Sequence, residues 1–494
     1  MSIGNFVKRV SDIMRQDAGV NGDAQRIEQL TWMLFLKIYD DAESEWDLLE
    51  DNFESIIPEE CRWRNWADTR VTNLSMRKGD DLISFVNNEL FPKLRTLQLP
   101  PNCPKKKSVV KAVFSDIHNY MKEGVQLYDL IALINEFDFS DPNETHAFGQ
   151  IYETILKKLQ SAGNAGEFYT PRALTDFMAQ HVHLKPGDCV ADFACGTGGF
   201  LNSARQVLAP AAAAGTNEDR AVLMHSFFGI EKKSLPYLLC VTNLILNGLD
   251  EPNVRHGNAL TTNIQEYGEK DKFDVILMNP PYGGSEKAEI QMNFPEQFRS
   301  AETADLFMTL IAYRLKRNGR AAVIIPDGFL FGSGAKTEIK KLLFSKFNVH
   351  TIVRLPTSVF APYTSIATNI IFFDNSGTTT SETWFYRVDM PDGYKHFSKT
   401  KPIKLEHLDE LAQWWDNRSE KQVDGVDKVK KFSVDEIKAL DYNLDLCGYP
   451  QEQEEILPPK ELIAKYQAER EAHEKKMNEA LARILEMIGV NHEG

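Results

Sequence analysis

Asp274-Val275-Ile276-Leu277-Met278-Asn279-Pro280-Pro281-Tyr282 is a short apolar run that stops at an amide, two prolines and an aromatic ring. Val275 to Met278 are too few for a helix and suit a central parallel strand covered on both faces. Pro280 and Pro281 then remove two backbone donors and fix φ, so the strand ends there and the turn is stiff. Such a turn can hold a planar amine, or it can be a proline-terminated strand end with no chemistry. The side-chain carbonyl of Asn279 and the backbone carbonyl of Pro280 can accept both hydrogens of an exocyclic amino group, and Tyr282 offers a face for the ring that carries it. Two acceptors draw the nitrogen lone pair out of conjugation and make it nucleophilic toward an electrophilic methyl group. Asn-Pro alone is ordinary turn punctuation. The full tetrapeptide after a buried strand is far more specific.

Upstream, Cys189 to Leu201 reads as strand, glycine-rich turn and helix, with Ala194, Gly196, Thr197, Gly198 and Gly199 in the turn. Glycines let backbone approach a ligand, and the helix N-terminus beyond them is electropositive. The pattern is not the dinucleotide GxGxxG, and Asp192 before it suits the cationic amino group of methionine. The next strand, Ser226 to Ile230, ends at Glu231, placed to accept from both hydroxyls of a ribose. A helical stretch from Pro236 to Asn247 leads to Val254–Leu260, a stretch that resembles motif III of adenine methyltransferases, which implies that the Asn258 carbonyl accepts from the cofactor's adenine amino group. After Tyr282 a loop runs through Gly283 and Gly284 to Phe294 and is expected to move with substrate access. Asp305 to Met308 begins a helix and resembles motif V of the same enzymes, which implies that Leu306 or Phe307 packs on the cofactor adenine. Further strands are expected at Ala321–Pro326, Val349–Leu355 and Thr368–Phe373. A metal pair at His181 and His183 is disfavoured, because nothing nearby completes a site.

The chain ends differ in character. Residues 1 to 150 read as helical, with Leu99 to Ser108, including Lys105, Lys106 and Lys107, expected as a loop. Between 376 and 450 a hairpin is expected about Pro391-Asp392-Gly393, beside a patch at Trp414 and Trp415. From Pro459 a charged helix carries Leu462, Tyr466, His473, Met477, Leu481, Ile484 and Ile488 as a seam that needs a partner. With 494 residues the chain is long for one core. Six cysteines without CxxC spacing argue against zinc and disulfides. No leader and no run of about 18 apolar residues is seen, so a cytoplasmic protein without membrane contact is expected. A net charge of −15 means that the chain alone should grip DNA poorly.

Asn279 to Tyr282 resembles motif IV of the N6-adenine DNA methyltransferases, and the rest of the chain resembles the modification subunit of type I restriction-modification systems. The resemblance implies an α/β fold: a Rossmann-like S-adenosylmethionine-dependent methyltransferase domain at 151–450. A helical N-terminal domain at 1–150 would precede it, and a C-terminal helix for subunit contact at 451–494 would follow. Phe168, Thr170 and Pro171, in Gly166 to Arg172, look like motif X and would close over the methyl donor. Asp192 to Gly199 looks like motif I, the S-adenosylmethionine site, to which Glu231, Asn258 and Asn279 would contribute. Many relatives have aspartate where Asn258 stands. Phe360 or Tyr363, in a stretch similar to motif VIII, would sandwich a flipped adenine against Tyr282. Implied partners are DNA, a specificity subunit shared by two modification subunits, and a restriction subunit. The tetrapeptide also occurs in protein-glutamine and RNA methyltransferases, which stay open as alternatives here.

Overall fold

The computed structural model describes residues 3–49, 51, 53–68, 78–101, 103–136, 169–249, 251–450 and 459–487. Its centre is one mixed sheet. The strands are β1 (Val190–Asp192), β2 (Phe227–Glu231), β3 (Asn253–His256), β4 (Phe273–Met278), β5 (Leu315–Pro326), β6 (Asn348–Arg354), β7 (Thr368–Asp374), β8 (Glu382–Arg387), β9 (Lys421–Val423) and β10 (Val426–Ser433). They lie in the order β3-β2-β1-β4-β5-β7-β6-β8-β10-β9.

The apolar run before Asn279 is β4, paired in parallel with β1 on one side and β5 on the other. Val275 to Met278 are all fully buried. Their side chains alternate between two cores, because successive strand residues face opposite ways. Val275 and Leu277 join the core under the helices Arg172–His181, Gly199–Ala214 and Ser234–Leu246. Ile276 and Met278 join the core under Thr303–Arg314 and Ala335–Lys346. β1 to β5 are mutually parallel, while β7 runs against both β5 and β6.

The N-terminal region is helical, as expected. Its long helix Gly22–Leu49 packs on Ser234–Leu246, and Trp32 to Leu36 on it are almost wholly inaccessible. Two expectations fail. Lys105 to Lys107 do not lie in a loop but open the helix Lys105–Phe114 behind Pro104. Lys106 is buried with its ammonium 4.7 Å from the Trp46 ring centre, and Lys107 donates to the Glu54 carbonyl. Aliphatic stems with capped heads let lysines behave as packing residues. The hairpin expected about Gly393 is instead a turn, closed by Tyr394 N–H to Pro391 O. The hairpin of that region is β9–β10, turning at Asp424-Gly425, and with β8 it extends the sheet.

Residues 1–448 form one compact unit and 449–494 a second. The second contains the helix Pro459–Met487, along which Tyr466, His473, Met477 and Leu481 recur as expected. The side chains of Leu462 and Ile484, and Ile488, lie outside the described residues, as does the expected 150/151 boundary.

Candidate active site

Parallel strands bring their carboxyl ends, and the loops that follow, to one edge of the sheet. There the segments after β1, β2, β3 and β4 enclose a cavity of about 510 Å³. Phe193, Ala194 and Gly196 line it after β1, and Glu231, Lys232 and Lys233 at the end of β2. Gly257, Asn258 and Ala259 line it after β3, and Asn279, Pro280 and Pro281 after β4. Residues far apart in the chain thus share one chamber.

The glycine turn is shaped by its backbone. Gly196 has φ 53° and its N–H donates to Glu231 Oε2 at 2.9 Å, while Lys233 N–H donates to Oε1 at 2.8 Å. Two backbone donors hold the Glu231 carboxylate in place. Gly198, with φ 78°, precedes the helix Gly199–Ala214, and a Cβ there would stand 2.9 Å from Cys240 Sγ. The Thr197 carbonyl accepts from Asn243 Nδ2 at 2.9 Å. Thr197, Gly198 and Gly199 therefore form the turn from behind, and only Ala194 and Gly196 of this group reach the cavity wall. Asp192 is also behind it, 1% exposed, with Oδ1 accepting from Ala194 N–H at 3.1 Å. Burial, with Glu231 nearby, pushes its carboxyl up to about 8.

At the other end Asn279 Nδ2 donates to Thr170 Oγ1 at 3.0 Å. Asn279 Oδ1 is buried and, among the described residues, has no hydrogen-bond partner. A buried orphan carbonyl costs free energy, about 1–3 kcal/mol, unless a ligand satisfies it. Thr170 thus touches the amide rather than the cavity, and Pro171 caps the helix Arg172–His181. Their neighbour Tyr169 lines the wall instead. Phe168 lies outside the described residues.

Tyr282 is buried beside Asn279, and burial pushes its phenol far up. Its ring meets Phe360 at 5.9 Å and 80°, an edge-to-face contact. The two rings are brought together but not as a sandwich, because a perpendicular pair leaves no parallel slot between them. Tyr363 sits 6.2 Å from Tyr169, outside that contact. Leu306 is in the core, and Phe307 lines the cavity.

Asn258 differs from expectation in how its amide is used. Its Oδ1 accepts from Leu260 N–H at 3.0 Å, capping a short turn, and its Nδ2 donates to Glu286 Oε1 at 3.3 Å. Sequence reasoning passed over Glu286, Ser285 and Thr303. The only signal was the charged loop beyond Gly284, whose course a sequence does not disclose. Lys232, Lys233, Gly257 and Ala259 were legible only as neighbours of strand ends.

His181 and His183 open on a separate cavity of about 470 Å³ with His350, whose imidazole burial lowers to about 4. Among the described residues no group of three or more His, Cys, Asp or Glu side chains is arranged to hold a metal ion.

The chamber offers a carboxylate held by backbone for a diol, an apolar wall for a base and an unsatisfied carbonyl at a proline-stiffened turn. Those features suit a methyl donor with an adenosine group and an amine acceptor. Comparison with known proteins agrees. The model of the N-6 DNA methylase family matches residues 143–456, and that of the HsdM N-terminal domain matches residues 3–134. The chain is 47% identical over 473 residues to the type I restriction enzyme EcoEI methylase subunit of Escherichia coli, with 95% of each chain covered. It is 29% identical to the StySJI methylase subunit of Salmonella typhimurium, covering 80% of this chain and 72% of that one. A modification subunit of a putative type I restriction enzyme from Vibrio vulnificus superimposes with TM-score 0.77 at 42% identity, covering 88% and 92%. A chain from a structure on assembly and conformational transition of the type I system gives 0.79 at 34% identity, covering 100% and 99%.

Proposed function

The chain belongs to the N-6 DNA methylase family, as a type I methylase subunit, and we propose that its cavity binds S-adenosylmethionine with Asn279 at the reacting end. The protein methylates adenine N6 in DNA as the modification subunit of a type I restriction-modification system. Nothing in the comparisons favours the glutamine or RNA alternatives. The observation that carries the site reading is the buried, unpartnered Oδ1 of Asn279 in the cavity wall.

S-adenosylmethionine, when bound, supplies a sulfonium-activated methyl group. The residues fit it: the backbone-held Glu231 carboxylate lines the cavity as an acceptor for ribose hydroxyls, and Phe307 and Ala259 offer apolar surface for a base. Asp192, beneath the glycine turn, becomes ionised as a cationic ammonium approaches and so offsets that charge. Asn279 Oδ1 and the Pro280 carbonyl accept the two hydrogens of the target N6 amine and hold its lone pair toward the methyl. The methylated nitrogen is then acidic enough to release its proton to water, so no side-chain base is required. Tyr282 gives the flipped adenine a ring to lie on, with Phe360 holding that ring from its edge and Tyr363 as the candidate for the other face. Thr170 sets the Asn279 amide, and Pro171 starts the helix that carries it. Phe168 is assigned to the donor side by resemblance alone.

The finer assembly is also a proposal. A chain of net charge −15 is as a whole poorly suited to release counterions from DNA phosphates. A specificity subunit would supply grip and sequence reading, two modification subunits would share it, and a restriction subunit would join for cleavage. Residues 1–150 serve as the helical domain, 151–450 as the catalytic domain and 451–494 as the subunit-contact helix. Among the described residues no helix is long and apolar enough to cross a membrane, and a cytoplasmic location is proposed from the DNA substrate.

The test is transfer of labelled methyl from S-adenosylmethionine to adenine-rich DNA by the chain alone and co-expressed with its specificity subunit. Label on adenine N6 that needs the partner is expected, and Asn279→Ala should abolish it while donor binding survives. Label on protein or RNA fractions instead would overturn the reading.

A further inference from the structure

Glu286 lies four residues beyond Tyr282 in sequence, yet its carboxylate sits at the opposite end of the chamber. Its Oε1 accepts from Lys232 Nζ at 3.2 Å, just after β2, and from Asn258 Nδ2, just after β3. The backbone pins it there. Glu286 N–H donates to Ala301 O at 3.1 Å, Thr303 N–H donates to Gly284 O at 3.1 Å, and Ser285 bridges Glu302. The Glu286 side chain is only 12% exposed, and among the described residues its Oε2 has no hydrogen-bond partner. Both Glu286 and Asn258 line the cavity.

A ligand whose methyl group lies near Asn279 and whose diol lies at Glu231 must place its base at the β3 end, because the strand order puts β2 between β1 and β3. At that end the Asn258 carbonyl already accepts from Leu260 N–H at 3.0 Å, whereas the second oxygen of the charged Glu286 carboxylate accepts from no group among the described residues, so Glu286 is the stronger acceptor there. We infer that Glu286 accepts the exocyclic amino group of the cofactor's adenine, with Asn258 Nδ2 donating its second hydrogen to the ring nitrogen beside that group. One acceptor next to one donor matches the amino-and-imine edge of adenine and opposes the carbonyl-and-N–H edge of hypoxanthine. The carboxylate absent at position 258 is thereby supplied from the loop that follows the target-amine site, so cofactor recognition and the active turn share one segment. This inference rests on the cofactor reading of the cavity.

Calorimetric titration of the full chain in complex with its specificity subunit tests it, with S-adenosylhomocysteine and its 6-deamino counterpart as probes. Wild type should prefer S-adenosylhomocysteine, and Glu286→Ala should weaken it by roughly tenfold to a hundredfold, the range for a hydrogen bond to a charged group. Binding of the 6-deamino ligand should change by no more than about twofold, and Glu286→Gln, which keeps an acceptor, should recover part of the loss. Equal losses for both ligands would make Glu286 a mere tie between Lys232 and Asn258 and overturn the inference. So would no loss, or equal wild-type affinity for the two. If wild type bound neither ligand, the cofactor reading itself would fall.

Discussion

Thr170→Val keeps the volume of the side chain and removes the oxygen that receives Asn279 Nδ2 at 3.0 Å. That hydrogen bond links positions 109 apart in sequence and sets which end of the amide faces the cavity. Without it the amide can turn about its last torsion and present a donor where the target amine needs an acceptor. A buried neutral hydrogen bond contributes about 1 kcal/mol net, and leaving its donor unpaired raises the cost toward about 2 kcal/mol. At about 1.4 kcal/mol per decade, kcat should fall roughly fivefold to thirtyfold. KM for S-adenosylmethionine should stay within about twofold, because the lost interaction acts on the acceptor amine rather than on the donor. Thr170→Ser, which keeps the hydroxyl, should stay within about threefold of wild type. The assay is single-turnover and steady-state methyl transfer with the co-purified specificity subunit. A rise in KM for the donor at unchanged kcat would refute the reasoning and place Thr170 against the methyl donor, as its motif resemblance implies.

Asp192→Asn should alter how stability depends on pH. The folded protein holds the Asp192 carboxyl up to about 8, above the usual unfolded value near ~4, so the folded state favours the protonated form. That contribution is complete below ~4 and is lost progressively as pH rises to 8, so thermal melts should show wild type declining relative to Asp192→Asn between about pH 4 and 8 and running parallel to it above that. Parallel curves would refute this. Gly198→Ala should cost about 2–3 kcal/mol from left-handed backbone strain and the Cys240 Sγ contact, read by denaturant titration. Adding Cys240→Ala should relieve the contact but not the strain, so full recovery would show that φ does not matter. Lys336→Met leaves Asp305, 1% exposed, without the ammonium 2.7 Å away and should destabilise by about 3–5 kcal/mol. A loss below about 1 kcal/mol would mean that the carboxyl is already neutral.

Strand β4 and its proline stop were legible because burial on both faces demands a continuous apolar run, and a prolyl pair ends a ladder wherever it occurs. The position of Glu231 at a strand end and in the cavity wall was legible for a related reason: a carboxylate closing a buried strand sits where parallel strands open onto a crevice. The lysines at 105–107 misled because composition cannot distinguish a solvated loop from a helix whose basic heads are capped by Trp46 and a carbonyl. Strands β9 and β10 were missed because they lie at the edge of the sheet, where exposed strands such as Lys421–Val423 carry no alternating signal, and β8 was missed although most of it is buried.

What the sequence determined by itself was the order of parts along the chain: the glycine turn after β1, the carboxylate Glu231 closing β2 and the proline-stiffened turn after β4. Each is a local pattern whose backbone demands are met within about a dozen residues. The tertiary structure alone decided how those parts meet. It set Asp192 under the turn rather than in the wall, turned the Asn258 carbonyl inward and carried Glu286 from the Tyr282 loop to the far end of the chamber. It also aimed the Asn279 amide through Thr170. The placements of Glu286 and of the Asn279 amide depend on hydrogen bonds between segments 28 to 109 positions apart, and such pairings arise from packing across the strand ends, which no local pattern encodes.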